Sequence, residues 1–129
     1  MANVDAEFAL IPREFAPGRP MLLTGKITAT PVTADVWRFF TIPAGCRLVD
    51  AWIVSNTDGG TDVPGVLSDG VTTTMLADVV FETASTARRN ATAGLGTEYT
   101  SDAIMKVTIG TVNTGAEMTA VVAALVERL

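Results

Sequence analysis

Asp50, Asp58, Asp62, Asp69, Asp78 and Glu82 are the side chains best placed to do chemistry, because two opposed carboxylates suffice for acid–base hydrolysis of a glycosidic bond. Most of them fall among turn formers. Aspartate is favoured there for a simpler reason, that its carboxylate binds nearby backbone amides, and this is the preferred reading. Asp58, Asp62 and Asp69 also offer oxygen ligands to calcium, but their spacing matches no EF-hand loop and hard cations usually take more carboxylates. No metal and no other cofactor is expected.

Histidine is absent, which removes the commonest general base, the usual triad relay and the commonest transition-metal ligand together. A serine–lysine dyad would need Lys26 or Lys106, and both sit in strand-like segments without a nucleophile elbow. Catalysis is not expected. Cys46 follows a turn and reads as a small buried hydrophobe, while Arg88-Arg89 is the one basic pair and suits an acid on a neighbouring chain or plain solvation. Trp37, Trp52 and Tyr99 could form a sugar-stacking platform, although tryptophans in apolar strands more often serve a core or an interface.

The elements that must position these residues centre on residues 36–55, VWRFFTIPAGCRLVDAWIVS. Proline and glycine in Ile42-Pro43-Ala44-Gly45 reverse the chain, and the flanking apolar runs predict a β-hairpin. Strict alternation in its second arm places Arg47, Val49, Ala51, Ile53 and Ser55 opposite Cys46, Leu48, Asp50, Trp52 and Val54. Both faces carry apolar residues. Such a strand lies between two layers, or has one face covered by another subunit.

Further strands are predicted over 21–27, with a bulge or close approach at Gly25, and over 63–67, where Pro64 implies an edge. Residues 71–81 predict a strand and then a short helical turn, and 84–96 a long loop. A brief strand is expected over 97–100. Residues 103–111 alternate cleanly, with Met105, Val107 and Ile109 opposite Ile104, Lys106 and Thr108. After a turn at 113–115, a last strand over 118–126 sets Thr119, Val121, Ala123 and Leu125 opposite Met118, Ala120, Val122, Ala124 and Val126. Residues 1–20, with three prolines and no period, read as an extended N-terminal arm, and 21–129 as one domain. The fold class is all-β, a β-sandwich or jelly roll.

The chain is apolar for its size, with 48% hydrophobic and only 18% charged residues and a mean hydropathy of +0.36, so subunit contacts are expected. A net charge of −5 argues against nucleic acid or an anionic membrane as partner. The N-terminal residues lack the pattern of an export signal, and the lone cysteine does not specify an oxidising compartment. Synthesis in a cytoplasm is the default.

The order of a proline-containing arm, TIPAGCRLVDAWIVSNTDGGT at 41–61, a strand ending in a DG turn, a small-residue loop and IGTVNTGAEMTAVVAAL at 109–125 resembles small tailed-bacteriophage virion proteins, most of all head decoration, or cement, proteins. The likeness spans about residues 36–127 and rests on pattern. It implies a jelly-roll or related sandwich that assembles as a homotrimer, sits on the outer surface of the capsid and stabilises the head by bridging capsomers of the major capsid protein. On that footing, subunit contacts are expected from Trp37, Phe39, Trp52, Val121 and Leu125. Capsid contacts are expected from Phe8, Leu10, Ile11 and Phe15 of the arm and from Arg88 and Arg89. The alternative is a receptor- or carbohydrate-binding sandwich of a phage tail, fibre or head-spike base.

Overall fold

The computed structural model describes residues 2–6, 8–9, 19–55, 60–81 and 88–129, with the backbone alone at Phe8, Ala9, Asp78 and Val80. Among the described residues, twelve strands run in the order β1 (Asn3–Asp5), β2 (Phe8–Ala9), β3 (Pro20–Ala29), β4 (Val36–Ile42), β5 (Cys46–Ser55), β6 (Gly60–Thr61), β7 (Pro64–Ser68), β8 (Leu76–Val80), β9 (Arg89–Asn90), β10 (Ala103–Ile109), β11 (Thr114–Gly115) and β12 (Met118–Arg128). They form a β-sandwich. One five-stranded sheet has the order β1-β4-β10-β7-β8, the other β2-β3-β12-β5-β9, and β11 and β6 make a small separate ribbon.

The core fills the space between the two large sheets. Trp37, Phe39, Ile42, Leu67, Met105, Val107 and Ile109 enter it from the first sheet, and Leu23, Ile27, Leu48, Ala51, Ile53, Ala120, Val122, Ala124 and Val126 from the second. β10 and β12 keep the alternation that their sequences predict, which buries one residue in two on the inner face.

The reversal at Pro43-Ala44-Gly45 is present, with Gly45 at φ 84°, but its two strands are not a hairpin. β4 lies in the first sheet and β5 in the second, so the turn is an arch that carries the chain across the core. Its polar groups bind other segments: Ala44 N–H donates to Asp102 Oδ1 at 2.9 Å, Gly45 N–H to the Tyr99 carbonyl at 2.7 Å, and the Gly45 carbonyl accepts from Leu129 N–H. The connection from β10 to β12 likewise changes sheets and is no hairpin.

Alternation also fails once inside β5. The register with β12 slips between Leu125 and Val126, which pair with Asp50 and Leu48, so Val49 is an extra residue in the ladder. Consequently Cys46, Leu48, Ala51, Ile53 and Ser55 all point inward, and the face assignment from strict alternation holds for only half of the strand. A bulge flips every side chain beyond it.

Other expectations are corrected by tertiary contacts. β7 is not an edge strand, since β10 and β8 flank it, and Pro64 occupies its first position, where proline removes no needed donor. Residues 76–80 form a strand where a helical turn was expected, tied in by Met75 N–H to the Leu67 carbonyl and Phe81 N–H to the Val63 carbonyl. The brief strand near 97–100 reduces to a bridge between Arg47 and Glu98, and the long loop contains the two-residue β9.

Part of the supposed arm is sheet. β1 runs parallel to Val36–Arg38, Arg38 grips the Asp5 carboxylate through Nε (2.7 Å) and Nη2 (3.1 Å), and the buried Asp35 carboxylate accepts from the Ala2 and Val32 amides. β2 then pairs with β3 in the other sheet, so the chain closes one flank of the sandwich.

At that flank, Gly25 of β3 passes so close to β4 that a Cβ would lie 2.1 Å from the Phe39 carbonyl oxygen. The register there is regular, so the glycine serves a close approach and not a bulge. Gly25→Ala must push the two sheets apart and is expected to cost about 1–3 kcal/mol, read as a fall of roughly 5–10 °C in melting midpoint. An unchanged midpoint would contradict the packing described.

Candidate binding surface

The outward face of the second sheet is built by register. Lys26, Val121 and Val54 lie in one row across β3, β12 and β5, Thr24, Ala123 and Trp52 in the next, and Leu22, Leu125 and Asp50 in a third. Leu22 is 46% exposed, and Val121, Leu125, Trp52 and Val54 are half-buried. The face is apolar along β12 and carries Lys26, Thr24 and Asp50 on the flanking strands, with no layer over it among the described residues. Polar groups form its margin: Thr28 and Thr119 share a hydroxyl hydrogen bond at 3.0 Å, and Arg47 pairs with Glu127 and, at 3.9 Å, with Glu98.

Trp52 carries a cap of its own. The Arg88 guanidinium lies 4.0 Å from its ring centroid, donates from Nε to Asn90 Oδ1 at 2.9 Å and stands 3.6 Å from Asp50. Asn90 is directly across the ladder from Trp52, so the two-residue β9 sets this arrangement.

The sequence candidates therefore divide. Trp52, Val121 and Leu125 share this face with Arg88, whereas Trp37 and Phe39, at 0% and 1% exposure, belong to the chain's own core and offer nothing to a second copy. The reason is that β4 turns both inward, where Trp37 stacks on Phe81 with centroids 5.7 Å apart. Leu22 and Val54 complete the face, and Leu22 was legible only once its pairing with Leu125 was known. Arg89 is half-buried at the sheet edge, where burial pulls its guanidinium below the ordinary arginine value. Phe8 contributes backbone to β2 on the far edge, while Leu10, Ile11 and Phe15 lie outside the described residues.

Nothing resembling an acid–base pair assembles from the described acids. Asp50 faces Arg88, Asp62 accepts from Asn113 Nδ2 at 3.4 Å, and Asp69 is 1% exposed with its carboxylate engaged by Val71 N–H, Thr72 N–H and Tyr99 Oη–H. Asp58, Glu82 and the Asp78 side chain lie outside the described residues. Among the described residues no cluster of three metal-binding side chains occurs. Burial pushes the Cys46 thiol up, away from the reactive thiolate. An open groove of about 340 Å³ beside Asp5, Ala6, Phe39, Phe40, Thr41 and Ile104 contains the paired Arg38, whose charge Asp5 already answers.

The three candidate aromatics do not form a sugar platform. Trp37 and Tyr99 are buried, and the Trp52 ring is covered by Arg88.

No protein-family model and no curated protein matches the sequence. The fold, however, matches chains in phage capsid structures over nearly their whole length. A chain of the cyanophage Pam1 capsid asymmetric unit aligns with TM-score 0.76 at 19% identity, over 93% of this chain and 92% of that one. One from the capsid of Ralstonia phage GP4 gives 0.75 at 15% identity, over 98% of each. A third, from the acid-stable capsid of Helicobacter pylori bacteriophage KHP30, gives 0.61 at 13% identity, over 87% and 90%.

Tyr99 is the sole tyrosine, and burial, then its hydrogen bond to Asp69 at 2.6 Å, raises its phenol above the ordinary value of 10.0. The unfolded chain loses this proton near pH 10 and the folded chain does not, so stability is intact below that pH and falls as pH rises above it. Phenolate absorbance is expected to appear only together with unfolding. Its appearance near pH 10 in folded protein would contradict the buried pair. Tyr99→Phe strips one donor from a buried carboxylate and is expected to cost about 1–3 kcal/mol.

Proposed function

We propose that this chain is a structural protein of a phage virion, a decoration (cement) protein that binds the outside of the head as a homotrimer. The observation that carries the reading is the end-to-end fold match to chains of phage capsids. The sequence pattern at 41–61 and 109–125 supports the decoration role, and the apolar sheet face supplies a surface for subunit contact. In this reading Leu22, Trp52, Val54, Val121 and Leu125 meet a second copy with Arg88, which caps Trp52, in the same contact, and the major capsid protein is reached at one sheet edge by the N-terminal segment with Phe8, Leu10, Ile11 and Phe15 and at the other by Arg89.

The mechanism is mechanical. A ligand that binds only the expanded lattice adds its binding free energy to the cost of opening that lattice, and three linked contacts raise the effective affinity of each. A carbohydrate-binding role has less support, because the candidate aromatics do not form a platform.

The test is addition of purified protein to undecorated, expanded heads. Saturable binding with a raised rupture temperature is expected; heads that neither bind the protein nor gain resistance would refute the reading. Replacing Val121 and Leu125 together by glutamate puts two charges on the subunit face and is expected to yield folded monomers. Head binding should fall with it by about tenfold or more, as multivalency is lost. A variant that keeps its native mass and its head binding would remove that face from the assembly.

A further inference from the structure

The apolar stripe along β12 has unlike flanks. On the β3 side the face carries Thr28, Lys26, Thr24 and Leu22, of which Lys26 alone is charged. Its side chain is exposed and has no acid partner among the described residues. On the β5 side stand Val54, Trp52 and Asp50, with Arg88 over the indole. Asp50 Oδ1 accepts from the Ala51 amide at 2.8 Å, whereas Oδ2 is 3.6 Å from Arg88 Nη2, beyond hydrogen-bond reach. One flank thus holds a cation without an acid, and the other a carboxylate oxygen without a donor.

These two groups do not meet within one chain. Lys26 and Asp50 lie on either side of β12, about 10 Å apart across the sheet and about 13 Å apart along the strands, which is more than the two side chains can span. A second copy removes the obstacle. Val121 is directly across the ladder from Lys26, and Leu125 from Asp50, so a contact that covers either aliphatic takes water from the charge beside it. Charges drawn into such a contact need opposite partners, and complementary charges fix its register.

We infer that Lys26 of one copy pairs with Asp50 of the next, joining the β3 flank of each sheet face to the β5 flank of its neighbour. This rests on the reading that copies meet through this face. Joining unlike flanks head to tail is a heterologous contact, the kind that closes into a ring, and each copy then gives its lysine to one neighbour and its carboxylate to the other. The pair supplies what the apolar stripe lacks. Val121 and Leu125 make the copies adhere, and the two charges select which flank meets which.

The experiment measures association across a dilution series for the native chain, Lys26→Glu, Asp50→Lys and the double variant, with the melting midpoint of each as a check on folding. Each single exchange sets like charges together and is expected to weaken association about tenfold or more, and the double exchange to restore it. Singles that associate like the native chain would overturn the pair and leave the shared face standing, as would a double variant no stronger than its singles. An equal mixture of the two singles separates a ring from a two-fold dimer. In a ring of three at least one contact joins copies of the same kind, so recovery is expected to be partial, and full recovery as dimers would overturn the ring. A native chain that stays monomeric would remove the face and the pair together. Where a charge exchange unfolds the chain, Lys26→Gln, Asp50→Asn and their double are read instead, and losses that simply add would overturn the pair.

Discussion

β12 is apolar on both faces, and a two-layer sandwich can bury only one of them. Met118, Ala120, Val122, Ala124 and Val126 fill the inner face and leave Val121, Ala123 and Leu125 on the outer, where β3 adds Leu22 and β5 adds Trp52 and Val54. The eleven-residue strand is also the centre of its sheet, so its pattern cannot be shifted without breaking the ladders to both neighbours. The proposed subunit contact follows from that surplus. A chain of this size and hydropathy has more apolar surface than its own core can take up, and part of the excess lies along β12 on the outer face of the second sheet.

The rest of the architecture arranges what lies around that face. The bulge at Val49 returns Ala51 and Ile53 to the core and turns Trp52 and Val54 outward, so without it the face would lose its aromatic member. β9, only two residues long, brings Arg88 over the Trp52 ring. The close passage of Gly25 across Phe39 locks the opposite flank.

Much of this was legible in the sequence. Turns at Pro43-Ala44-Gly45 and Asp69-Gly70, the alternation of residues 103–109 and 118–126, and apolar residues on both faces of the last strand all follow from local chemistry. Partnership was not legible. A turn that joins strands within one sheet and a turn that arches between sheets use the same residues, and what separates them is where the turn's amides go, here to Asp102 and Tyr99 more than fifty positions away. The bulge was hidden for a related reason, because it exists only in the register with β12. Trp37 and Phe39 are core and not interface residues because β4 is a strand walled into the first sheet and not an arm of a hairpin. Asp69 was read as a turn aspartate, which it is; that its second oxygen binds Tyr99, thirty positions on, has no local signature.

The central claim is that the outer face of the second sheet meets another copy of the chain. Native mass of the unmodified protein across a dilution series tests it most directly. The account requires a trimer that persists to low concentration, as a threefold adaptor should. A monomer at every concentration would contradict it and leave that face to a partner of a different kind.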